Sequence, residues 1–480
     1  MNKLNTLAVT VMAALIAAPA AFADDNAPTF DFHGYMRAGV GHFNHGGSQT
    51  RWNSEQVGRL GNEEDTYGEL ALGSRVFKKD DTEFFVNTRF AMKSKGDNDY
   101  EATERSNYYG TKGFDDLDEA YGSEDVEFAL REMNVQAKGI IPGKKDATLW
   151  AGKRFYNRHD VHLWDYYYED LSGSGAGLEN LELGPGKLSI AWVRKAHDNI
   201  TKLEDGYSKY HYELANGLGY FEGKDDDGNT YYKAADGKYY KKVENSFGNY
   251  NMYDIRYGGS YWNGGYLELS ASFMDPDKSK HQSYVDTSAG FSGLYTADIT
   301  FSGSWGFNTT TLQYGTKAVS LQNHPMYYQT WGGDLSHHYW LRIMNQGEAA
   351  VGSDKFHIMH AVRYDYDHIG NDTTDNTKMF AVTVRPSYQV TTYSRIMAEV
   401  GAFWKKVENA KKGTGADEQG QKYTLAYAIA PSASLWARPE IRFYCSYLHS
   451  SNKDSISDTL YDGNSWNNGV NFGVQAEAWW

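Results

Sequence analysis

Apolar and polar residues alternate with period two along much of this chain, and the pattern is cleanest at its two ends. At the C-terminus Val470, Phe472, Val474, Ala476, Ala478 and Trp480 share one face, while Asn471, Gly473, Gln475, Glu477 and Trp479 share the other. Near the start, Phe30, Phe32, Met36, Ala38 and Val40 alternate with Asp31, His33, Tyr35, Arg37 and Gly39. Side chains of a strand point alternately to its two faces, so each end predicts a strand with one apolar and one polar face. A first and last strand of matching type can pair, and such closure lets a sheet sit in lipid without unpaired edges.

Between the ends, similar segments recur near residues 67–77, 84–92, 133–138, 188–194, 254–261, 267–273, 309–314, 356–364, 379–388, 394–402, 423–429 and 441–448. Turn chemistry separates them, and no shift of composition marks a second domain. The reading is all-β: a transmembrane antiparallel β-barrel. With spanning strands of roughly 9 to 11 residues, short turns on one side and long loops on the other, the chain accommodates about sixteen to eighteen strands. A barrel of that size encloses water, whereas one of about eight strands fills its own interior.

The first 23 residues change the picture of the compartment. Lys3 precedes a mostly apolar run from Leu7 to Ala18, and small residues surround a cleavage pattern at Ala21, Phe22 and Ala23. This is the pattern of a secretory signal peptide, after which residues 24–480 are expected to form the single barrel domain. No later stretch approaches the roughly 18 consecutive apolar residues that a membrane helix needs.

Composition agrees with that class. The chain has 38 Tyr, 22 Phe, 13 Trp and 49 Gly but only 9 Pro, which suits strands, interfacial girdles and turns. Its average hydropathy is that of a soluble protein, as expected where every strand mixes lipid-facing and lumen-facing residues. The one cysteine, Cys445, excludes an intramolecular disulfide framework. It shares its phase with Ile441, Phe443 and Tyr447, which marks an inert buried or lipid-facing thiol. A net charge of −15 argues against nucleic acid as a partner. Two insertions, 107–127 and 197–250, read as long outer loops; in the second, the Asp227-Gly228 and Asp236-Gly237 steps read as hairpin turns. The acids Asp225 to Asp227 lack the full spacing of a calcium loop.

Function is signalled by aromatic residues on the polar face. Tyr35 lies between His33 and Arg37, Trp479 shares a face with Glu477 and Gln475, Trp436 keeps step with Arg438, Glu440 and Arg442, and Tyr67 keeps step with Asp65 and Glu69. A ring that projects into water beside charges is the composition of a sugar site. The apolar C–H face of a pyranose stacks on rings, and its hydroxyls take charged partners.

These residues sit in stretches that resemble the maltoporin family: DFHGYMR at 31–37, RLGNEEDTYGE at 59–69, REMNVQAK at 131–138, WAGKRFYNRHDVHLWDYYY at 150–168, SGSGAGLEN at 172–180, WARP at 436–439 and the terminal AEAWW. The resemblance spans nearly the whole mature chain. It implies an eighteen-stranded barrel, assembled as a homotrimer in the lipid of the bacterial outer membrane, that passes maltose and maltodextrins by facilitated diffusion. Carried over by position, the family's aromatic slide falls on Tyr35, Tyr67, Tyr100, Tyr167, Tyr295, Trp436 and Trp479, with Tyr167 at the constriction on an inward-folded loop. The family's ionic track falls on Arg37, Arg59, Glu69, Arg131, Arg158, Asp160, His162 and Asp165. Tyr100 stands where the family usually places a Trp from a neighbouring subunit. Tyr295 shares the apolar phase of Ala297 and Ile299, so a lumenal role there requires a bulge. The family's cysteine pair stapling the first outer loop is absent, Glu64 standing at one of its positions, and the loop around residue 50 is expected to be held by packing alone.

Other chemistry is weighed and set aside. Asp160 and Asp165 resemble a glycosidase pair, but Arg154, Arg158 and His159 around them are expected to keep both ionised, leaving no acid. His159 and His162 form an isolated H-x-x-H without a zincin helix, a weak metal signal. No catalytic set, metal or cofactor is expected. The alternatives are a general diffusion porin, which would lack the in-phase aromatics, a barrel enzyme with an activated Ser, His and Asp near its rim, and a related porin for another oligosaccharide. Sucrose porins carry a periplasmic coiled-coil extension, for which the first strand begins too early.

Overall fold

The computed structural model describes residues 28–63, 65–94, 96, 126–197, 221–224, 230–233, 239–241, 248–277, 290–321, 335–369, 376–409, 414–432, 434–452, 455–457 and 465–480. Eighteen strands form one closed antiparallel sheet. In chain order these are β1 (Thr29–Phe43), β2 (Thr66–Lys79), β3 (Thr82–Ser94), β4 (Val126–Lys138), β5 (Thr148–Arg154), β6 (Gly173–Leu183), β7 (Gly186–His197), β8 (Gly248–Trp262) and β9 (Gly265–Asp277). The second half comprises β10 (Ser292–Gly303), β11 (Gly306–Thr316), β12 (Tyr339–Val351), β13 (Ser353–His368), β14 (Asn376–Thr391), β15 (Ser394–Asn409), β16 (Thr414–Ile429), β17 (Glu440–Ser450) and β18 (Asn468–Trp479). Each strand pairs with its sequence neighbours, and β1 meets β18 in a register running from Tyr35 opposite Trp479 to Phe43 opposite Asn471. The ends of the chain therefore close the barrel, as their alternation predicts.

The period-two pattern becomes an inside and an outside. On β17 the buried residues Glu440, Arg442, Tyr444, Ser446, Leu448 and Ser450 point inward, and Ile441, Phe443, Cys445 and Tyr447 are exposed on the outer wall. Cys445 thus faces lipid. Among the described residues no helix is long and apolar enough to cross a membrane; the chain crosses with strands.

Connections at one end of the barrel are short, such as the two residues between β2 and β3 and the single Gly352 between β12 and β13. That is the periplasmic end in outer-membrane barrels. The insertion at 107–127 lies outside the described residues up to the start of β4. Within 197–250, three short strands, Phe221–Lys224, Thr230–Lys233 and Tyr239–Lys241, pair antiparallel in sequence order. The two Asp-Gly steps fall between them, in agreement with the hairpin reading, although the turn residues themselves are outside the described set, as are Asp225 to Asp227, Glu64 and Tyr100.

The barrel is not an empty tube. Residues 44–63, with the short helix α1 (Ser54–Val57), fold inward, and so does a segment after β5 that forms a hairpin of Arg158–Val161 with Tyr166–Asp170. Val57, Leu60, Leu163 and Trp164 bury themselves against Met359, Ala361, Ala381, Met397, Phe403, Ala426 and Ala428 of the inner wall. Gly401 has no room for a Cβ, because the Val57 carbonyl lies against it. The first inward segment is held by more than packing, which corrects the sequence reading. Asn62 and Trp52 exchange hydrogen bonds at 2.8 and 2.7 Å, Gln49 donates to the Glu63 carbonyl at 2.9 Å, and Lys422 donates to the Gly58 carbonyl at 3.0 Å.

Candidate functional site

The candidate site lies where the inward segments meet β1, β2, β18 and the turn before β17. Tyr35 projects inward from β1, its ring 6.1 Å from that of Tyr67 on β2. Its hydroxyl donates to Glu477 Oε1 at 2.9 Å. Trp479 stands opposite Tyr35 across the seam. Its ring lies 6.1 Å from His162, which in turn lies 4.8 Å from Trp436. Trp436 is 6.4 Å from Phe307 and donates its indole N–H to Glu348 at 2.5 Å. Six rings, Tyr67, Tyr35, Trp479, His162, Trp436 and Phe307, therefore form a file of near neighbours, broken only between Tyr35 and Trp479, where the seam pairing joins them.

Three assignments change. Tyr295 faces the outer wall: no register shift interrupts β10 on either side, so it keeps the phase of Ala297 and Ile299, is 42% exposed, and stacks on Tyr314 at 6.2 Å. The end of the file is instead Phe307, which the carry-over missed although its phase with Thr309, Thr311 and Gln313 on β11 was there to be read. Trp436 sits in the turn before β17 rather than on its strand, and its phase with Glu440 and Arg442 pointed to the correct side without the correct backbone. His162 belongs geometrically to the rings. Burial pulls its imidazole well below the ordinary value and Arg59 adds to this, so the ring is neutral.

Charged residues gather beside the same rings. Arg37 pairs with Glu63 at 3.0 Å, Asp65 at 2.8 Å and Asp165 at 3.0 Å. Arg59 pairs with Glu63 at 2.6 Å and Glu477 at 2.8 Å, and Arg438 and Arg442 also reach Glu477. Buried ions are tolerable only when paired in this manner. Burial pushes the Asp165 carboxyl up, but Arg59 and Arg37 outweigh it and hold it at about 2. Asp160 behaves differently. It opens to the pore yet is crowded by the surrounding loop, and this desolvation raises its carboxyl against the opposing charges of Arg158 and Arg59. The arginines thus outweigh burial at Asp165, whereas at Asp160 burial outweighs Arg158 and Arg59. Glu69 accepts from Tyr67 and pairs with Arg89 at 2.9 Å. On the inward hairpin, Arg158 lies 4.1 Å from the Tyr167 ring centroid, and Arg131 of β4 shares the Phe155 ring with it.

His159 and His162 face different partners and do not act as one ligand pair. His159 approaches Glu268 at 3.4 Å and Asp298 at 3.7 Å on the wall. Burial lowers its imidazole, but the Glu268 hydrogen bond and the charges of Glu169, Asp298 and Glu268 overcome this and raise it to about 9. Ligand-type atoms of His159, Glu268 and Asp298 lie within 4.8 Å of one another. A protonated imidazole offsets one of these two carboxylates, and Arg256 adds a second cation 3.8 Å from Glu268. The cluster ties the inward hairpin to β9 and β10, helped by Tyr168 donating to Asp298 at 3.2 Å and Ser270 of β9 donating to Glu169 at 3.1 Å.

The family model for LamB porins matches residues 30–480. The chain belongs to the LamB porin family. Similar curated LamB porins include Maltoporin 1 of Klebsiella pneumoniae subsp. pneumoniae, 36% identical over 494 aligned residues with 100% of both chains covered. Maltoporin 2 of Yersinia pestis is 35% identical over 492 residues, again with 100% of both covered. Among solved structures, OccAB2 of Acinetobacter baumannii is 9% identical, covers 94% of this chain and 98% of its own, and has a TM-score of 0.45. This LamB porin is accordingly an outer-membrane β-barrel channel.

Proposed function

We propose that this LamB porin passes maltose and maltodextrins by facilitated diffusion, the sugar sliding along the file of rings while its hydroxyls exchange partners on the charged residues beside it. The observation that carries this reading is the succession Tyr67, Tyr35, Trp479, His162, Trp436 and Phe307, each pair of neighbours within ring-contact range or joined across the seam, next to Arg37, Arg59 and Asp165. Rings offer stacking to the apolar face of each glucose unit, and the arginines and carboxylates offer charge-assisted hydrogen bonds to its rim. Many weak sites in series let a sugar enter and leave, as conduction requires.

Arg131, Arg158, Glu69, Asp160 and Tyr167 form the polar side of the same passage at its narrowing. Tyr100 of a neighbouring subunit extends the rings at the mouth, within a homotrimer, the state the family resemblance implies. The names of the curated relatives agree with this substrate class. Liposomes containing the protein test it by swelling: maltose and maltotriose are expected to enter faster than sucrose or raffinose of matching size. Equal rates within each size class contradict a sugar-selective path.

A further inference from the structure

Tyr167 is the residue that the family resemblance places at the constriction, and the ring beside it that gathers the neighbouring arginines is Phe155. The Arg158 guanidinium lies 4.1 Å from the Tyr167 ring centroid and 3.9 Å from that of Phe155, so it stacks against both rings. Phe155 also has Arg131 at 5.0 Å and Arg89 at 5.1 Å from its centroid. Three guanidiniums thus converge on one benzene ring.

Their other contacts are unequal. Arg89 pairs with Glu69 at 2.9 Å and Glu132 at 2.6 Å, and Arg158 stands 3.5 Å from Asp170. For Arg131, no ion pair within 4.0 Å exists among the described residues, and the Phe155 ring is its close contact. The ring is fixed in turn through its backbone: the Phe155 N–H donates to Glu132 at 3.0 Å, and its carbonyl accepts from Arg154 at 3.1 Å. Like charges repel, and long arginine side chains lose rotamer freedom when held in one place. The negative face of an aromatic ring offsets both costs, which an aliphatic side chain of the same bulk does not.

We propose that Phe155 is the positioning residue of the constriction: its ring holds Arg131 and Arg158 where sugar hydroxyls meet them and, through Arg158, sets the place of Tyr167. This rests on the sugar-channel reading. Preorganised donors bind more tightly than donors that must be ordered at each encounter. The Phe155 ring itself need not touch sugar.

The test is Phe155→Leu in the full-length porin in planar bilayers, with Phe155→Tyr beside it and a ring-fluorinated phenylalanine at the same position. Fluorination weakens the negative face while keeping the shape, so it remains informative where Phe155→Leu does not fold. Phe155→Leu and the fluorinated ring are expected to weaken block of ion current by maltohexaose about three- to tenfold. They should also shift the reversal potential in a salt gradient, because Arg131 and Arg158 line the ion path. Phe155→Tyr should stay within about twofold of the unaltered protein. Unchanged block together with an unchanged reversal potential in either altered protein overturns the inference alone. Absence of maltodextrin block in the unaltered protein overturns the sugar reading, while a reversal potential that still responds to ring fluorination leaves the positioning of the guanidiniums standing.

Discussion

Tyr35 and Trp479 face each other across the seam where β1 meets β18, and the Tyr35 hydroxyl donates to Glu477, two residues from Trp479. The closure of the barrel and the centre of the ring file are therefore one structural feature. Shortening the C-terminal strand would remove a wall of the passage together with the last strand of the sheet. Arg59, 3% exposed and drawn in from the first inward segment, completes the seam by pairing with the same Glu477.

Replacing Trp436 by Ala removes one stacking surface while leaving the charged residues intact. Such aromatic contacts contribute roughly 0.5 to 1.5 kcal/mol beyond area burial. Affinity for maltohexaose is expected to fall about two- to tenfold with little change in ion conductance. Titrating current block in the variant measures both, and a Trp436→Ala channel that binds maltohexaose as before contradicts a stacking role.

Phe307 and Tyr295 form a matched pair of tests because they sit on neighbouring strands with opposite orientation. Phe307→Ala should weaken maltodextrin binding by about the amount of one ring contact, whereas Tyr295→Ala should leave it unchanged and affect only the outer wall. The reverse result in the same block titration would restore the family carry-over at Tyr295.

Removing Arg59 leaves Glu63 short of one of its two arginine partners and Glu477 short of one of three. Breaking an isolated buried pair costs about 3 to 5 kcal/mol, and because Glu63 keeps Arg37 while Glu477 keeps Arg438 and Arg442, a smaller loss is expected here. Arg59→Ala should therefore lower the thermal unfolding temperature of the barrel, and Arg59→Lys should recover part of the loss. A variant that melts like the parent in circular dichroism shows that the pairing does not hold the first inward segment.

The His159 latch has a defined pH window. Its folded value, raised to about 9, lies above the ordinary 6.5, so the stabilisation it gives the inward hairpin is complete below about pH 6.5 and lost as pH rises through 9. Opening of the hairpin should appear as increased current noise and conductance above that pH, and His159→Gln should remove the pH dependence. A titration of conductance from pH 6 to 10 that is identical in parent and variant rules the latch out.

The strands and their two faces were legible because period two survives in a barrel wall: Tyr35, Tyr67 and Trp479 all point inward as their phase requires. Tyr295 was legible too, and only the family carry-over placed it inside. The inward segments were not legible, for a physical reason. Their apolar residues Val57, Leu60 and Trp164 pack on Ala361, Ala381, Ala426 and Ala428, small residues whose inward position carries no hydrophobic signal in a strand pattern. The ion network was hidden in the same way, since Arg59 and Glu477 meet from opposite ends of the chain. The ring contacts of Phe155 depend on three arginines from three separate segments and have no local signature.

The central claim is a ladder of sugar sites, and its most direct test is block of single-channel current by glucose, maltose, maltotriose and maltohexaose applied to the same channel. The ring file predicts affinity that rises with each added glucose unit and levels once the six rings are covered. Equal block by glucose and maltohexaose would contradict it and leave a general pore.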